Sequence, residues 1–263
     1  MYFLSNIPEL KIAPDVIFTI GAVNITNTML GFFVTGLILI IIAILIRRSA
    51  GIIPSKSQVV LETMLGFFYE KLVTAFGSEK DARRFAPLIV TMFFLFLIAN
   101  QFSLLPIVTQ VTSGEASLFK TPTADFSLPI ALALVVAFVS HAVALSIAPI
   151  KHLDGFVKVS SILKIRKLKD IPNAMLDVFL GLLDIVGELA KVVSISARLF
   201  GNVVAGELMV VIITFIGGVA TNFIVPIPFI FLSIFSGVIQ AFVFPLLALQ
   251  YIGGTVKAVK EDK

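Results

Sequence analysis

Long apolar stretches separated by short polar segments set the plan of this chain. Residues 24–46 run without a charge until Arg47 and Arg48, a length that crosses the ~30 Å hydrocarbon core of a bilayer as one helix. The two arginines mark its cytoplasmic end. Between residues 57 and 76 the pattern changes, because Gln58, Glu62, Gly66, Glu70 and Thr74 recur every fourth position among large apolar residues. That period predicts an amphipathic helix. Two dispositions fit it, flat on the cytoplasmic membrane surface or half-buried against the other spans, and both can hold together. Residues 77–84 read as a charged connector containing Arg83 and Arg84, and residues 85–106 as a second span running outward. The following loop is sparse in positive charge. Residues 126–149 form a third span returning inward, and residues 151–170 carry six basic residues against Asp154 and Asp170, as expected of a cytoplasmic loop.

After Pro172, a good first-turn residue, no proline intervenes until Pro226. Residues 172–216 therefore predict a helix of about 65 Å at ~1.5 Å per residue, roughly twice the membrane thickness. It either lies strongly tilted or breaks near Gly181 or Gly187. A turn around residues 217–222 leads to a last long helix, 223–252, with Pro245 as a candidate kink. The lysines of the tail return the C-terminus to the cytoplasm. The expected fold is thus an all-α polytopic membrane protein in which residues 1–263 form a single membrane domain. It has five transmembrane helices and one interfacial amphipathic helix, the last two helices forming a long tilted hairpin, with the N-terminus outside.

Within that fifth helix the polar residues separate by angle. Asp177, Asp184, Lys191 and Arg198 are seven apart and share a slowly drifting stripe, with Glu188 and Ser194 beside it. Glu207, nine residues beyond Arg198, points the opposite way at about 100° per residue and lies about 13 Å further along. By the expected topology Asp184 and Glu188 lie toward the cytoplasm and Glu207 toward the outside. A hairpin centred near Val219 puts Arg198 level with Gln240, and Ser233 about level with Ala205. An arginine does not deprotonate at ordinary pH, and burying one at the centre of a membrane helix costs roughly 3 to more than 10 kcal/mol. The carboxylates of Asp184 and Glu188 are about 15–20 Å away along the axis, which points to a counter-charge on another subunit.

Composition sharpens this reading. The chain is 58% hydrophobic and 14% charged with a mean hydropathy of +1.07, values typical of polytopic membrane proteins. The net charge of +4 sits beside apolar spans, so nucleic-acid binding is rejected. With no cysteine, and no His-Glu-x-x-His spacing, neither a disulfide framework nor a transition-metal site is expected. Phosphate-loop motifs are missing, so ATP is not expected to bind here and no cofactor is implied. The N-terminus lacks the pattern of a cleavable signal peptide. His141, midway along the third span, reads as a packing residue ahead of a proton relay, and His152 as interfacial.

The segment ARLFGNVVAGEL, with Arg198, Asn202 and Glu207, resembles the signature of subunit a of F-type ATP synthases. IQAFVFPLLALQYI, containing Gln240, is similar to that family's last helix, and ANQFSLLPI and PTADFSLPIALAL to its earlier spans. The resemblance implies a proton-translocating stator subunit with two offset half-channels, in a bacterial plasma membrane. Its partners would be a c-ring of small hairpin subunits, the peripheral stalk subunit b and the rest of the synthase. It makes Arg198 the arginine facing the ring carboxylate, puts Glu207 in the outer half-channel and Asp184 and Glu188 at the cytoplasmic one, and makes Asn202 and Gln240 polar neighbours of the arginine. Where some relatives carry Asp and His this chain has Ser103 and Ser233, so the outer path is expected to use Glu207, Asp125, Asn100 and water. At about 4 Å and an effective dielectric of about 20, an arginine attracts a carboxylate by about 4 kcal/mol, a roughly thousandfold bias toward ionisation. A self-contained secondary transporter would instead need broken helices around a midplane cavity. A passive scaffold would leave Arg198 without a purpose.

Overall fold

The computed structural model describes residues 14–49, 51, 53–101, 112, 113, 116–157, 171–216 and 225–261. Two short strands, β1 (Val16–Ile20) and β2 (Val23–Thr26), pair antiparallel through a turn at Gly21, whose φ of 62° is left-handed and favours glycine. This hairpin was not anticipated from the sequence. It leads into α1 (Asn27–Ser49), followed by α2 (Lys56–Phe76) and α3 (Glu79–Gln101). A small ribbon, β3 (Thr112–Ser113) with β4 (Ala116–Ser117), and a 3₁₀ turn at Pro122–Ala124 precede α4 (Ser127–Ile147) and α5 (Pro149–Val157). Two long helices close the chain, α6 (Ile171–Ile216) and α7 (Pro226–Glu261).

The protein is therefore all-α apart from these short ribbons. Among the described residues four helices are long and apolar enough to cross a membrane: α1, α3, α4 and Pro226–Lys257 within α7; α6, expected as a further crossing, is not one of them. α1 illustrates the solvent for which they are built. Its buried positions are Asn27, Thr28, Gly31 and Thr35, whereas Phe33, Leu37 and Ile40 are exposed. Small and polar groups face the protein and large apolar ones face outward, as lipid favours. Gly31 is required here, since a Cβ would lie 2.3 Å from the Lys120 carbonyl oxygen.

Helix α2 begins where the Ser55 hydroxyl accepts from the Gln58 amide and ends at Gly77, with φ 63° and its N–H donated to the Val73 carbonyl. This is the ordinary pairing of a serine N-cap with a left-handed glycine stop. Phe68, Leu72 and Phe76 are buried. Phe76 stacks on Phe85 at 4.9 Å between centroids, and Phe68 meets Phe93 and Phe242 at 4.9 and 5.8 Å. α2 is thus packed on α3 and α7. The expected connector at residues 77–84 is shorter than the charge pattern suggested, because α3 starts at Glu79. Glu79 and Asp81 occupy its first turn, where acidic side chains favour the helix dipole.

Neither glycine breaks α6. Its 46 residues run unbroken through Gly181 and Gly187, about 69 Å at 1.5 Å per residue. α7 lies along it, also contacting α2, α3 and α4, so both long helices share one core with the shorter ones. The turn expected at 217–222, the basic loop beyond residue 157 and Ser103 lie outside the described residues.

Candidate functional site

Helix α6 carries polar groups at three levels, on two faces. Arg198 is exposed, and among the described residues it makes no hydrogen bond or ion pair. It shares its exposed stripe with Ser194, Ala197, Gly201 and Ala205. A Cβ on Gly201 would meet nothing within 4 Å, so the chain's own packing does not demand a glycine there. Leu199, Ser196, Ile195 and Val192 form the buried face.

Glu207 turns the other way, as its angle from Arg198 requires. The Thr121 hydroxyl donates to its Oε1 at 2.6 Å. Two residues along the same 3₁₀ segment, Thr123 donates to Asn100 Oδ1 at 3.0 Å, and the Asn100 amide donates to the Gly237 carbonyl at 3.1 Å. Asn100, Asn202, Ser233 and Gly237 surround one small polar cavity of about 10 Å³, about the size of a single water. A polar chain thus runs from Glu207 through the 3₁₀ segment to the α6–α7 interface. Asp125 belongs to a different part of the structure. It accepts from the Thr28 hydroxyl and the Ser127 amide, joining α1 to the start of α4.

Across that interface Asn202 faces Ser236. The serine hydroxyl donates to Asn202 Oδ1 at 2.6 Å, and the Asn202 amide reaches the Ser236 carbonyl at 3.4 Å. Ser233 lies against Gly206, where a Cβ would come within 2.9 Å of its Oγ. Both contacts agree with a hairpin register centred at Val219. Gln240 is buried and level with Arg198 by that register, but no hydrogen bond joins the two among the described residues.

At the other end of α6, Glu188 collects several partners. Lys191 donates to its Oε1 at 2.7 Å, and the Tyr251 hydroxyl donates to Oε2. His141 Nε2 lies 3.9 Å from the same oxygen and 3.4 Å from the tyrosine oxygen. The second ring nitrogen of His141 is 3.0 Å from His152 Nε2. Burial, then the neighbouring His141, hold the His152 pKa below its usual 6.5. His141 and His152, read separately from sequence, are one hydrogen-bonded pair. Asp184 is exposed one turn before Glu188 and does not join this cluster. A groove of about 560 Å³ between α6 and α7 extends from Lys191 and Tyr251 past Ser194 to Arg198.

Sequence reasoning missed Thr121, Ser236 and Tyr251. Thr121 stands in an irregular segment without periodicity. Ser236 and Tyr251 could have been found by extending the hairpin register, since they pair with Asn202 and with the level of Gly187. Among the described residues no group of three or more His, Cys, Asp or Glu is arranged to hold a metal.

Membrane-length helices among the described residues define a multi-pass membrane protein, in which Arg198 and Glu207 stand on opposite faces of one long helix. The comparison with known proteins then identifies the family. The family model described as ATP synthase A chain matches residues 29–253, and the chain belongs to that family. It is similar to ATP synthase subunit a of Moorella thermoacetica, 33% identical over 93% of this chain and 97% of the relative. ATP synthase subunit a of Desulfosudis oleivorans is 31% identical over 84% and 83%, and ATP synthase subunit a 1 of Hahella chejuensis 28% identical over 92% and 89%.

Proposed function

We propose that this chain is the proton-translocating stator subunit of a rotary F-type ATP synthase, working in the membrane against a ring of small hairpin subunits. The observation that carries the proposal is Arg198, exposed at mid-helix in a stripe of small side chains and without a partner among the described residues. A fixed cation in that setting needs a counter-charge from outside the chain. A carboxylate on a passing ring subunit supplies one, and the small residues beside Arg198 let the ring approach closely.

In this reading the whole chain is one membrane domain and α6 is the fourth of five crossings. The N-terminus lies outside a bacterial plasma membrane and the C-terminus in the cytoplasm, with peripheral stalk subunit b completing the stator. Glu207, Asn100 and the water-sized cavity beside Asn202 form the outer half-channel, and Asp125, bonded to Thr28 and Ser127, stands apart from it. Glu188 and Asp184 belong to the cytoplasmic half-channel, whose inner end is the groove reaching Arg198. Gln240 and Asn202 hydrate the arginine region. A proton entering from outside passes Glu207 to the ring carboxylate, the ring turns through lipid with that carboxylate neutral, and the proton leaves on the cytoplasmic side. Arg198 keeps the returning carboxylate ionised and blocks a direct passage between the half-channels.

Replacing Arg198 by Ala in the assembled synthase tests this. Proton-driven ATP synthesis should be lost while the complex remains intact. Retention of full synthesis would overturn the proposal.

A further inference from the structure

We propose that His152, His141 and Tyr251 form a side path for protons that joins Glu188 to the cytoplasmic surface, separate from the open groove above Arg198. The inference rests on the stator reading, which includes Glu188 in a half-channel but assigns no role to these three residues.

The geometry forms a continuous line. His152 is half-buried on α5, a short helix outside the membrane-length spans. Its Nε2 meets His141 Nδ1 at 3.0 Å. On the far side of that ring, His141 Nε2 lies 3.4 Å from the Tyr251 oxygen, and the tyrosine hydroxyl donates to Glu188 Oε2. Four titratable groups from α5, α4, α7 and α6 are thus joined edge to edge. A second cavity of about 360 Å³ lies beside His152, His141 and Glu188 and shares Tyr251 with the groove of Arg198. Lys191, bonded to Glu188 and 5.0 Å from the centre of the Tyr251 ring, lines the groove of Arg198. The other ring contact to both histidines is Phe156, at 5.7 and 5.2 Å. It carries no charge.

The proton balance closes. A proton from water binds His152 Nδ1, and the proton on His152 Nε2 passes to His141 Nδ1. His141 then releases its Nε2 proton to the Tyr251 oxygen as the tyrosine hydroxyl passes its own to the Glu188 carboxylate. One proton enters, one resides on Glu188, and both imidazoles end neutral in the other tautomer. The same four transfers in reverse carry a proton from Glu188 out through His152 during synthesis, and in either direction two ring rotations restore the starting tautomers. Tyr251 is neutral before and after. Burial, then the neighbouring His141, hold the His152 pKa below its usual value, which favours passing a proton on over keeping it.

Reconstituted vesicles carrying the complete synthase provide the test. His141→Ala should slow proton-driven ATP synthesis on the order of tenfold or more, the scale of a lost acid–base group, and added imidazole should restore the rate by occupying the vacated space. His152→Gln, a milder change at a half-exposed position, should slow synthesis and shift the pH of half-maximal rate. An unchanged rate in both variants overturns the inference, as does a loss in an intact complex that imidazole fails to restore. Should His141→Ala prevent assembly, the rate and pH profile of His152→Gln decide alone. If Arg198→Ala abolishes synthesis while the histidine variants are unaffected, only this inference fails. Activity without Arg198 removes the stator reading itself.

Discussion

The Ser236 hydroxyl donates to Asn202 Oδ1 at 2.6 Å, and this one bond fixes the register of the two longest helices. From it, Arg198 is level with Gln240, Gly206 meets Ser233, and Glu188 comes within reach of Tyr251. Interhelical side-chain bonds in membrane proteins contribute about 0.6–1.7 kcal/mol each. Ser236→Ala should therefore reduce thermal stability of the assembled complex by an amount in that range without preventing assembly. An unchanged unfolding midpoint would show that apolar packing alone sets the register.

Gly31→Ala drives a methyl group against the Lys120 carbonyl, 2.3 Å from the ideal Cβ position. The backbone on both sides must yield, and overpacking of this kind costs about 1–3 kcal/mol. Gly36→Ala, on the same helix with nothing within 4 Å, is the control. Protease sensitivity of the segment preceding α4 should rise in the first variant only.

Gly201→Leu should separate folding from function. Apart from its own stretch of helix, nothing among the described residues lies within 4 Å of the added Cβ, so yield and thermal stability of the isolated subunit in detergent should match the parent. A bulky side chain one turn from Arg198 would obstruct a ring subunit, and ATP synthesis should fall at least tenfold. Undiminished synthesis would argue that the ring does not approach this face.

Thr121→Val keeps shape and removes the hydroxyl that donates to Glu207. A carboxyl losing one of its buried partners costs about 1–3 kcal/mol, which should slow proton-driven synthesis several-fold while ATP hydrolysis by the detached catalytic sector is unaffected. Equal synthesis rates in the variant and the parent would sink the idea that Thr121 orients Glu207.

The histidine pair introduces a pH dependence of stability. The folded-state pKa of His152 lies below its ordinary 6.5, so between those values the unfolded chain binds more protons than the folded one. The stabilisation is fully present above about pH 6.5 and is lost as pH falls through the depressed folded value. Unfolding midpoints measured from pH 7.5 to 5 should decline in the parent and decline less in His152→Phe.

Hydropathy predicted five crossings, and four of them are helices of membrane length and composition among the described residues, because lipid length and composition are one-dimensional constraints. It also determined the opposite facing of Arg198 and Glu207, since both lie on one helix and the angle between them follows from spacing. The register of α6 and α7 was legible too, given a short turn between antiparallel neighbours. Tertiary structure decided which elements lie opposite one another. Phe68 reveals nothing in sequence of its contact with Phe242, and Thr121 and Thr123 lie in an irregular segment without a period to read. His141 and His152 looked like two separate minor residues until α5 folded back against α4, and Tyr251 reached His141 from 110 positions away. Periodicity says which way a side chain points along its own helix. What it meets there depends on packing between helices distant in the chain.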